Sequence, residues 1–75
     1  MVTVYTTNNC AQCFTTKLAL KKRGIAFEQI DITGNAAMQE KLKSRGHRSM
    51  PVVVTDTDEW AGFLPHKINA IGGDE

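Results

Sequence analysis

The residues best suited to chemistry are Cys10 and Cys13, the two cysteines of this 75-residue chain. They lie where a short apolar strand gives way to a segment with helical periodicity. Residues three apart share one helix face, with roughly 5–6 Å between their β-carbons, so the two sulfurs are close enough to form a disulfide. The spacing therefore fits a redox-active pair, while a structural disulfide and half of a metal site are the alternatives.

Cys10 is expected at the cap position of the helix that follows it. Unpaired backbone N–H groups and the positive end of the helix dipole favour a thiolate there, and in motifs of this kind the pKa of the thiol falls to roughly 3.5–7.5. The thiolate is the species that attacks a disulfide. Cys13, one turn further along, is expected to face the protein and to resolve the mixed disulfide.

Chain length and loop length both bear on the structural alternative. We expect a single domain over residues 1–75, with residues 72–75 as a frayed tail. A disulfide across so few residues closes too short a loop to stabilise the fold much through chain entropy. A position after a strand and at the start of a helix is instead typical of redox exchange.

The N-terminus and the charge distribution set expectations for location and partners. Met1 is followed directly by an alternating strand, without the regions of a signal peptide, and no apolar run is long enough to span a bilayer. We therefore expect a cytoplasmic protein, where paired cysteines are more often catalytic than structural. The net charge of +1 indicates neither nucleic acid nor membrane as a partner.

One local cluster of basic residues departs from that overall balance. It comprises Lys41, Lys43, Arg45, His47 and Arg48. No aromatic residues are interleaved with these charges, as they would be in a surface that stacks on bases. We therefore expect a solvated helix face.

Hydrophobic periodicity and turn residues predict the element order β-α-β-α-β-β-α. Phe14 and Leu18, four residues apart, are expected to form the apolar face of the first helix, with Ala19 and Leu20 nearby. The first strand, helix and second strand form a βαβ unit, which requires parallel strands and a right-handed crossover. The predicted strands cover residues 1–5, 25–32, 52–54 and 59–61, and the predicted helices cover residues 11–23, 36–45 and 66–71, with Pro65 at the first helical position.

This element order, with Cys-X-X-Cys at the start of the first helix and a proline before the third strand, resembles the thioredoxin-like fold and its glutaredoxin branch. Within that branch the chain is most similar to the NrdH-redoxins, over nearly its whole length. The resemblance implies an α/β fold in which a four-stranded mixed sheet is flanked by three helices. The residues that carry it are Val4-Tyr5-Thr6, Cys10-Ala11-Gln12-Cys13, Pro51-Val52-Val53 and Trp60-Ala61-Gly62-Phe63 with Pro65.

The chain departs from the usual pattern of these proteins at Ala11, Ala61, Leu64 and His66. The family usually carries an arginine and an aspartate at the last two of these positions. Their loss removes a polar or ionic contribution near the start of the last helix. It leaves the cysteine chemistry intact and bears on partner specificity.

The resemblance implies an electron carrier rather than an enzyme with its own small-molecule substrate. Such a carrier reduces the large subunit of ribonucleotide reductase, most often of class Ib, and is itself reduced by thioredoxin reductase. NADPH and FAD belong to that reductase, so no cofactor is expected in this chain, which is expected to be a monomer. The alternative is a glutathione-dependent glutaredoxin, but residues 60–63 lack the small residues and the acidic group that hold glutathione in such relatives.

Five further residues are expected at the partner-binding surface. The resemblance implies a cis bond between Met50 and Pro51 beside the cysteines, where the Met50 backbone could bind an extended substrate tail; the alternative is a trans proline that merely starts a strand. Gln12 either tunes contact with partners or is a neutral surface residue. Trp60 and Phe63 either pack in the core or form a docking patch.

Two readings from other functional classes remain. A metal-binding module would use Cys10, Cys13, His47 and His66, but zinc-binding histidines are usually three to five residues apart, so we expect no metal. A redox-switched binding protein would carry the same cysteine pair but would not catalyse repeated disulfide reduction. An insulin-reduction assay separates that reading from a carrier.

Overall fold

The computed structural model describes residues 2–71, which contain four strands and three helices in the predicted order. Residues 1 and 72–75, expected to begin the first strand and to form a frayed tail, lie outside the described residues. The elements are β1 (Val2–Thr6), α1 (Ala11–Lys22), β2 (Phe27–Asp31), α2 (Ala36–Ser44), β3 (Val52–Val54), β4 (Glu59–Ala61) and α3 (Pro65–Ala70).

The strands form one mixed sheet in the order β2-β1-β3-β4. β1 and β2 are parallel, which confirms the βαβ unit, whereas β3 runs antiparallel to both β1 and β4. The hairpin between β3 and β4 closes where the Thr55 N–H donates to the Asp58 carbonyl at 2.8 Å. β1 and β3 are therefore the central strands, and β2 and β4 are the two edges.

Both faces of the sheet are covered. One hydrophobic cluster joins the sheet to α1 and α3, and the other joins it to α2. Val53 belongs to the first cluster, whereas its neighbour Val52 belongs to the second, which explains why β3 is continuously apolar. The same arrangement explains why apolar residues do not alternate regularly in β2, because Phe27 packs on one face and Ile30 on the other.

The expected apolar face of α1 is wrong for Phe14 and Leu18, whereas Leu20 is buried and Ala19 packs against the core as expected. Phe14 is 65% exposed and Leu18 is 44% exposed, while the buried residues of this helix are Cys13, Thr16 and Leu20. Cys13 and Leu20 are two helical turns apart and point to the same side, so the side chains at positions 14 and 18 point to solvent. The rule failed because a cysteine and a threonine take the places that apolar periodicity assigns to large hydrophobic residues.

The helix ends are set by local signals in the sequence. Asn35 caps α2 by accepting the Met38 N–H on its Oδ1 at 3.0 Å, and Gly24 follows α1 with a φ of +71°. Within residues 2–71, none of the helices has both the length and the apolar composition needed to cross a membrane.

Candidate functional site

The two cysteines form a disulfide at the N-terminus of α1, with their Cα atoms 5.2 Å apart. Cys10 is the N-cap residue, with extended backbone angles of φ −111° and ψ 100°. Its Sγ accepts the backbone N–H of Cys13 at 3.1 Å, so one of the unpaired N–H groups at the helix start points at the sulfur. The structure thus places Cys10 at the predicted cap position.

The loop between β1 and Cys10 is held by its backbone conformation and by hydrogen bonds to the end of β2. Asn9 adopts a positive φ of 55°, a conformation that asparagine tolerates better than most residues. The Asn8 N–H donates to Thr33 Oγ1 at 2.8 Å, and the Thr33 N–H donates to Asp31 Oδ1 at 2.9 Å. The carboxyl end of β2 therefore holds the loop between β1 and the cysteine pair.

The two sulfurs differ in their access to solvent. Cys10 is half-buried, whereas Cys13 is only 2% exposed. A bulky reactant can reach the first side chain but not the second. This asymmetry supports an attacking role for Cys10 and a resolving role for Cys13.

The peptide bond between Met50 and Pro51 is cis, as the resemblance implies. Pro51 is buried, and its carbonyl accepts the Gly62 N–H at 2.7 Å. Met50 is half-buried and lines a groove between the loop after β1, α2 and the segment before β3. The residues lining this groove are Thr7, Ile32, Gln39, Leu42, Lys43, His47, Arg48, Ser49 and Met50.

Gln12 joins the cysteine motif to the turn after β4. Its Oε1 accepts the Phe63 backbone N–H at 3.1 Å, across 51 residues of sequence. Gly62 has a φ of +88°, and a Cβ added there would lie 3.3 Å from Gln12 Oε1. The sequence alone does not predict this internal contact, which joins two of the motifs that carry the family resemblance.

Of the two aromatic residues assigned to the partner surface, Trp60 is buried and Phe63 is partly buried. Trp60 is 5% exposed and belongs to the core cluster of α1 and α3, while Phe63 is partly buried against the same cluster. Among residues 2–71, the Trp60 Nε1 finds no hydrogen-bond partner. Of the two alternatives, packing is the one observed for Trp60, and Phe63 keeps part of its ring accessible.

Two members of the basic cluster are paired with an acid. Arg45 donates from Nε to Glu59 Oε2 at 2.9 Å and forms an ion pair with the Glu59 carboxylate, and His47 Nε2 is hydrogen-bonded to the same carboxylate. The hydrogen bonds from Arg45 and His47 hold the pKa of the Glu59 carboxyl below its ordinary value. Part of the cluster therefore fastens the end of α2 to β4.

The four residues of the metal-binding alternative are used differently. Cys10 and Cys13 are bonded to each other, His47 is bonded to Glu59, and His66 is exposed at the start of α3. Within the part of the chain that the structure describes, no three His, Cys, Asp or Glu side chains form a group that could hold a metal ion.

Comparison with known proteins identifies the family. The family model described as Glutaredoxin matches residues 2–60. A glutaredoxin-like protein NrdH of Escherichia coli K12 is 40% identical over 70 residues, covering 93% of this chain and 86% of that protein. Its counterpart in Lactococcus lactis subsp. lactis is 40% identical over 68 residues, covering 91% and 94% of the two chains.

A solved structure agrees with these sequence matches. The glutaredoxin-like NrdH-redoxin of Escherichia coli, described as having a thioredoxin-like activity profile, superposes with a TM-score of 0.87 at 40% identity. The match covers 93% of this chain and 92% of the other. The chain therefore belongs to the glutaredoxin family and, within it, to the NrdH-type glutaredoxin-like redox proteins, with a thioredoxin-like fold and a Cys-X-X-Cys disulfide.

Proposed function

We propose that this chain is a dithiol electron carrier that reduces a disulfide of the large subunit of ribonucleotide reductase and is reduced in turn by thioredoxin reductase. The ribonucleotide reductase is expected to be of class Ib. The observation that carries the proposal is the hydrogen bond from the Cys13 N–H to the Sγ of Cys10, a half-buried side chain at the start of a helix. This arrangement stabilises the thiolate that disulfide exchange requires.

The exchange proceeds in two steps. The Cys10 thiolate attacks one sulfur of the target disulfide, forming a mixed disulfide and releasing the other target sulfur as a thiolate. The Cys13 thiol loses its proton to solvent and attacks the Cys10 sulfur, which releases the second target thiolate and closes the Cys10–Cys13 bond. Two electrons pass to the target, and both target thiolates take up protons from water.

The groove beside Met50 and Pro51 is the proposed path of the target chain. An extended tail next to Cys10 would lie along the segment before β3, where strand-like hydrogen bonds to the Met50 backbone would hold it. Ser49 and Thr7 would border this path on the polar side of the groove. Phe63, whose backbone N–H donates to Gln12, would lie beside Cys10 on the side of α3.

The electrons return through the reverse exchange. Thioredoxin reductase would reduce the Cys10–Cys13 disulfide with electrons from NADPH, and its FAD would serve as the intermediate carrier. The chemistry assigned to this chain uses its two sulfurs alone. We expect the carrier to act in the cytoplasm as a monomer.

Coupled turnover tests the proposed electron source. The protein is mixed with thioredoxin reductase, NADPH and a disulfide substrate such as insulin, and NADPH oxidation is followed by absorbance. We expect steady turnover that Cys10→Ser abolishes. Turnover with glutathione, glutathione reductase and NADPH but not with thioredoxin reductase would assign the chain to the glutathione-dependent alternative, and absence of turnover in both would favour a redox-switched binding protein.

Trapping tests the proposed target. Cys13→Ser removes the resolving thiol, so the variant should remain covalently attached to the large subunit of ribonucleotide reductase through Cys10. Cys10→Ser is the matched control, because it keeps one cysteine but moves it to a position that is 2% exposed. Equal adducts from both variants, or none from Cys13→Ser, would contradict the assigned roles.

A further inference from the structure

The solvent side of α1 carries a line of apolar residues that the fold leaves uncovered. Within residues 2–71, Phe14 and Leu18 are the large hydrophobic residues that remain exposed, at 65% and 44%. Ala11 is exposed as well, and the three residues occupy positions i, i+3 and i+7 of one helix. Single exposed hydrophobic residues are common on protein surfaces, but this spacing produces a continuous ridge, which we call the α1 ridge.

The α1 ridge begins beside the reactive sulfur. Ala11 directly follows Cys10, and at a rise of 1.5 Å per residue Leu18 lies about 10 Å beyond Ala11 along the helix axis. A protein that brings a sulfur atom to Cys10 therefore passes close to the ridge. The ridge and the cysteine site form one continuous surface.

The charged residues of α1 itself are all lysines. α1 contains no acidic residue, and its last turn carries Lys21 and Lys22, which are both exposed. Among residues 2–71, neither lysine takes part in a salt bridge. A surface complementary to this helix must therefore be apolar at its centre and acidic near the lysines.

A second copy of the chain does not have those properties. In an antiparallel pair of α1 helices, Lys21 and Lys22 would face the positively polarised N-terminus of the other helix and would cover Cys10. In a parallel pair, the same lysines would face each other. Two large side chains also bury far less than the roughly 1,200 Å² that a stable interface requires, whereas a small contact suits a partner that must leave after each exchange.

The shape of the ridge distinguishes between the two partners of the exchange. A convex helix with anchors at i, i+3 and i+7 fits a concave groove on a folded protein. An extended tail instead fits the concave path beside Met50 and Pro51. The ridge is therefore matched to the partner that donates electrons rather than to the tail that accepts them.

We propose that the α1 ridge, with Lys21 and Lys22, is the docking surface for the folded disulfide reductase of this carrier. The ridge would enter an apolar groove of that reductase, and the lysines would meet acidic side chains at the border of the groove. This proposal rests on the proposed function, since it assumes that a protein reductase reduces the Cys10–Cys13 disulfide.

The test measures kcat and KM of thioredoxin reductase, with NADPH, for the oxidised full-length carrier. The double variant Phe14→Gln, Leu18→Gln keeps good helix-forming residues at exposed positions, and we expect its KM to rise on the order of tenfold because two buried apolar contacts are lost. Its reduction by dithiothreitol should remain at the wild-type rate. That second measurement shows that the cysteine chemistry and the fold are intact.

The role proposed for the α1 lysines is tested with a separate variant and a matched control. Lys21→Glu should raise the KM and weaken its dependence on ionic strength, because one attractive contact becomes repulsive. Lys41→Glu makes the same charge change at an exposed position of α2, which packs on the other face of the sheet. It should leave the KM near the wild-type value. Equal effects of the two substitutions would show that only the net charge matters and would overturn the docking assignment.

The remaining outcomes separate the two proposals. If thioredoxin reductase reduces wild type and the double variant with equal KM, the docking surface is refuted while the proposed function stands. If it does not reduce wild type, both proposals fail. A dimer of wild type that the double variant dissolves would assign the ridge to a second copy of the chain and would overturn the proposal.

Discussion

Replacement of Gly62 by alanine tests the contact between the cysteine motif and the turn after β4. Gly62 has a φ of +88°, and its new Cβ would lie 3.3 Å from Gln12 Oε1 and 3.7 Å from Ser49 Oγ. A side chain in left-handed backbone costs about 1–2 kcal/mol. The close approach also displaces the Gln12 acceptor of the Phe63 N–H, and a lost hydrogen bond costs about 0.5–1.5 kcal/mol.

The total predicted for Gly62→Ala is therefore about 1.5–3.5 kcal/mol. A domain of this size loses about 4–8 °C in Tm per kcal/mol, so the decrease should be easy to measure by thermal unfolding and by urea titration. Gly46→Ala is the matched control: Gly46 has a φ of +95° but has no atom within 4 Å of an added Cβ. It should show the backbone cost alone.

A double-mutant cycle isolates the contribution of Gln12. In a Gln12→Ala background the space beside Gly62 is open, so Gly62→Ala should cost no more than Gly46→Ala. The coupling between the two sites is expected at about 0.5–1.5 kcal/mol. If Gly62→Ala and Gly46→Ala are equally destabilising in wild type, or if Gln12→Ala leaves stability unchanged, the tether between α1 and the Gly62-Phe63 turn is refuted.

Two other predictions concern stability. Asn35→Ala removes the α2 cap on the Met38 N–H and should lower the free energy of unfolding by about 1 kcal/mol; an unchanged urea midpoint would contradict that cap. The hydrogen bonds from Arg45 and His47 hold the pKa of the Glu59 carboxyl below its ordinary 4.5, so the folded state binds its proton less tightly than the unfolded chain. This contribution is complete above about pH 4.5 and is lost as the pH falls through the folded-state pKa. The stability difference between wild type and Glu59→Gln should shrink on acidification, and a constant difference between pH 7 and pH 3 would exclude this linkage.

The sequence predicted well the features that depend on neighbouring residues. The element order followed from local signals such as Gly24 after α1, Asn35 before α2 and Pro65 at the start of α3. The site followed from the spacing of Cys10 and Cys13, because the geometry of a helix N-terminus is determined by a few residues. Family resemblance added the cis bond before Pro51, which no local pattern would have indicated.

The features that escaped prediction depend on tertiary context. Apolar periodicity placed Phe14 and Leu18 in the core because it counts residue type, whereas the helix buries a threonine, Thr16, at 0% exposure. The hydrogen bond of Gln12 joins residues 51 apart in sequence, so only the folded sheet brings them together. The pairing of Arg45 with Glu59 likewise removes charge from a cluster that appears uniformly basic along the chain.

Among residues 2–71 the strand order leaves two unpaired edges, and their composition affects how this small sheet behaves at high concentration. β2 forms one edge with the exposed charges of Glu28 and Asp31, and β4 forms the other with a length of only three residues. Intermolecular sheet growth starts most readily on long, flat, hydrophobic edges. The charges of β2 and the short length of β4 thus discourage amyloid-like stacking without the need for a covering helix.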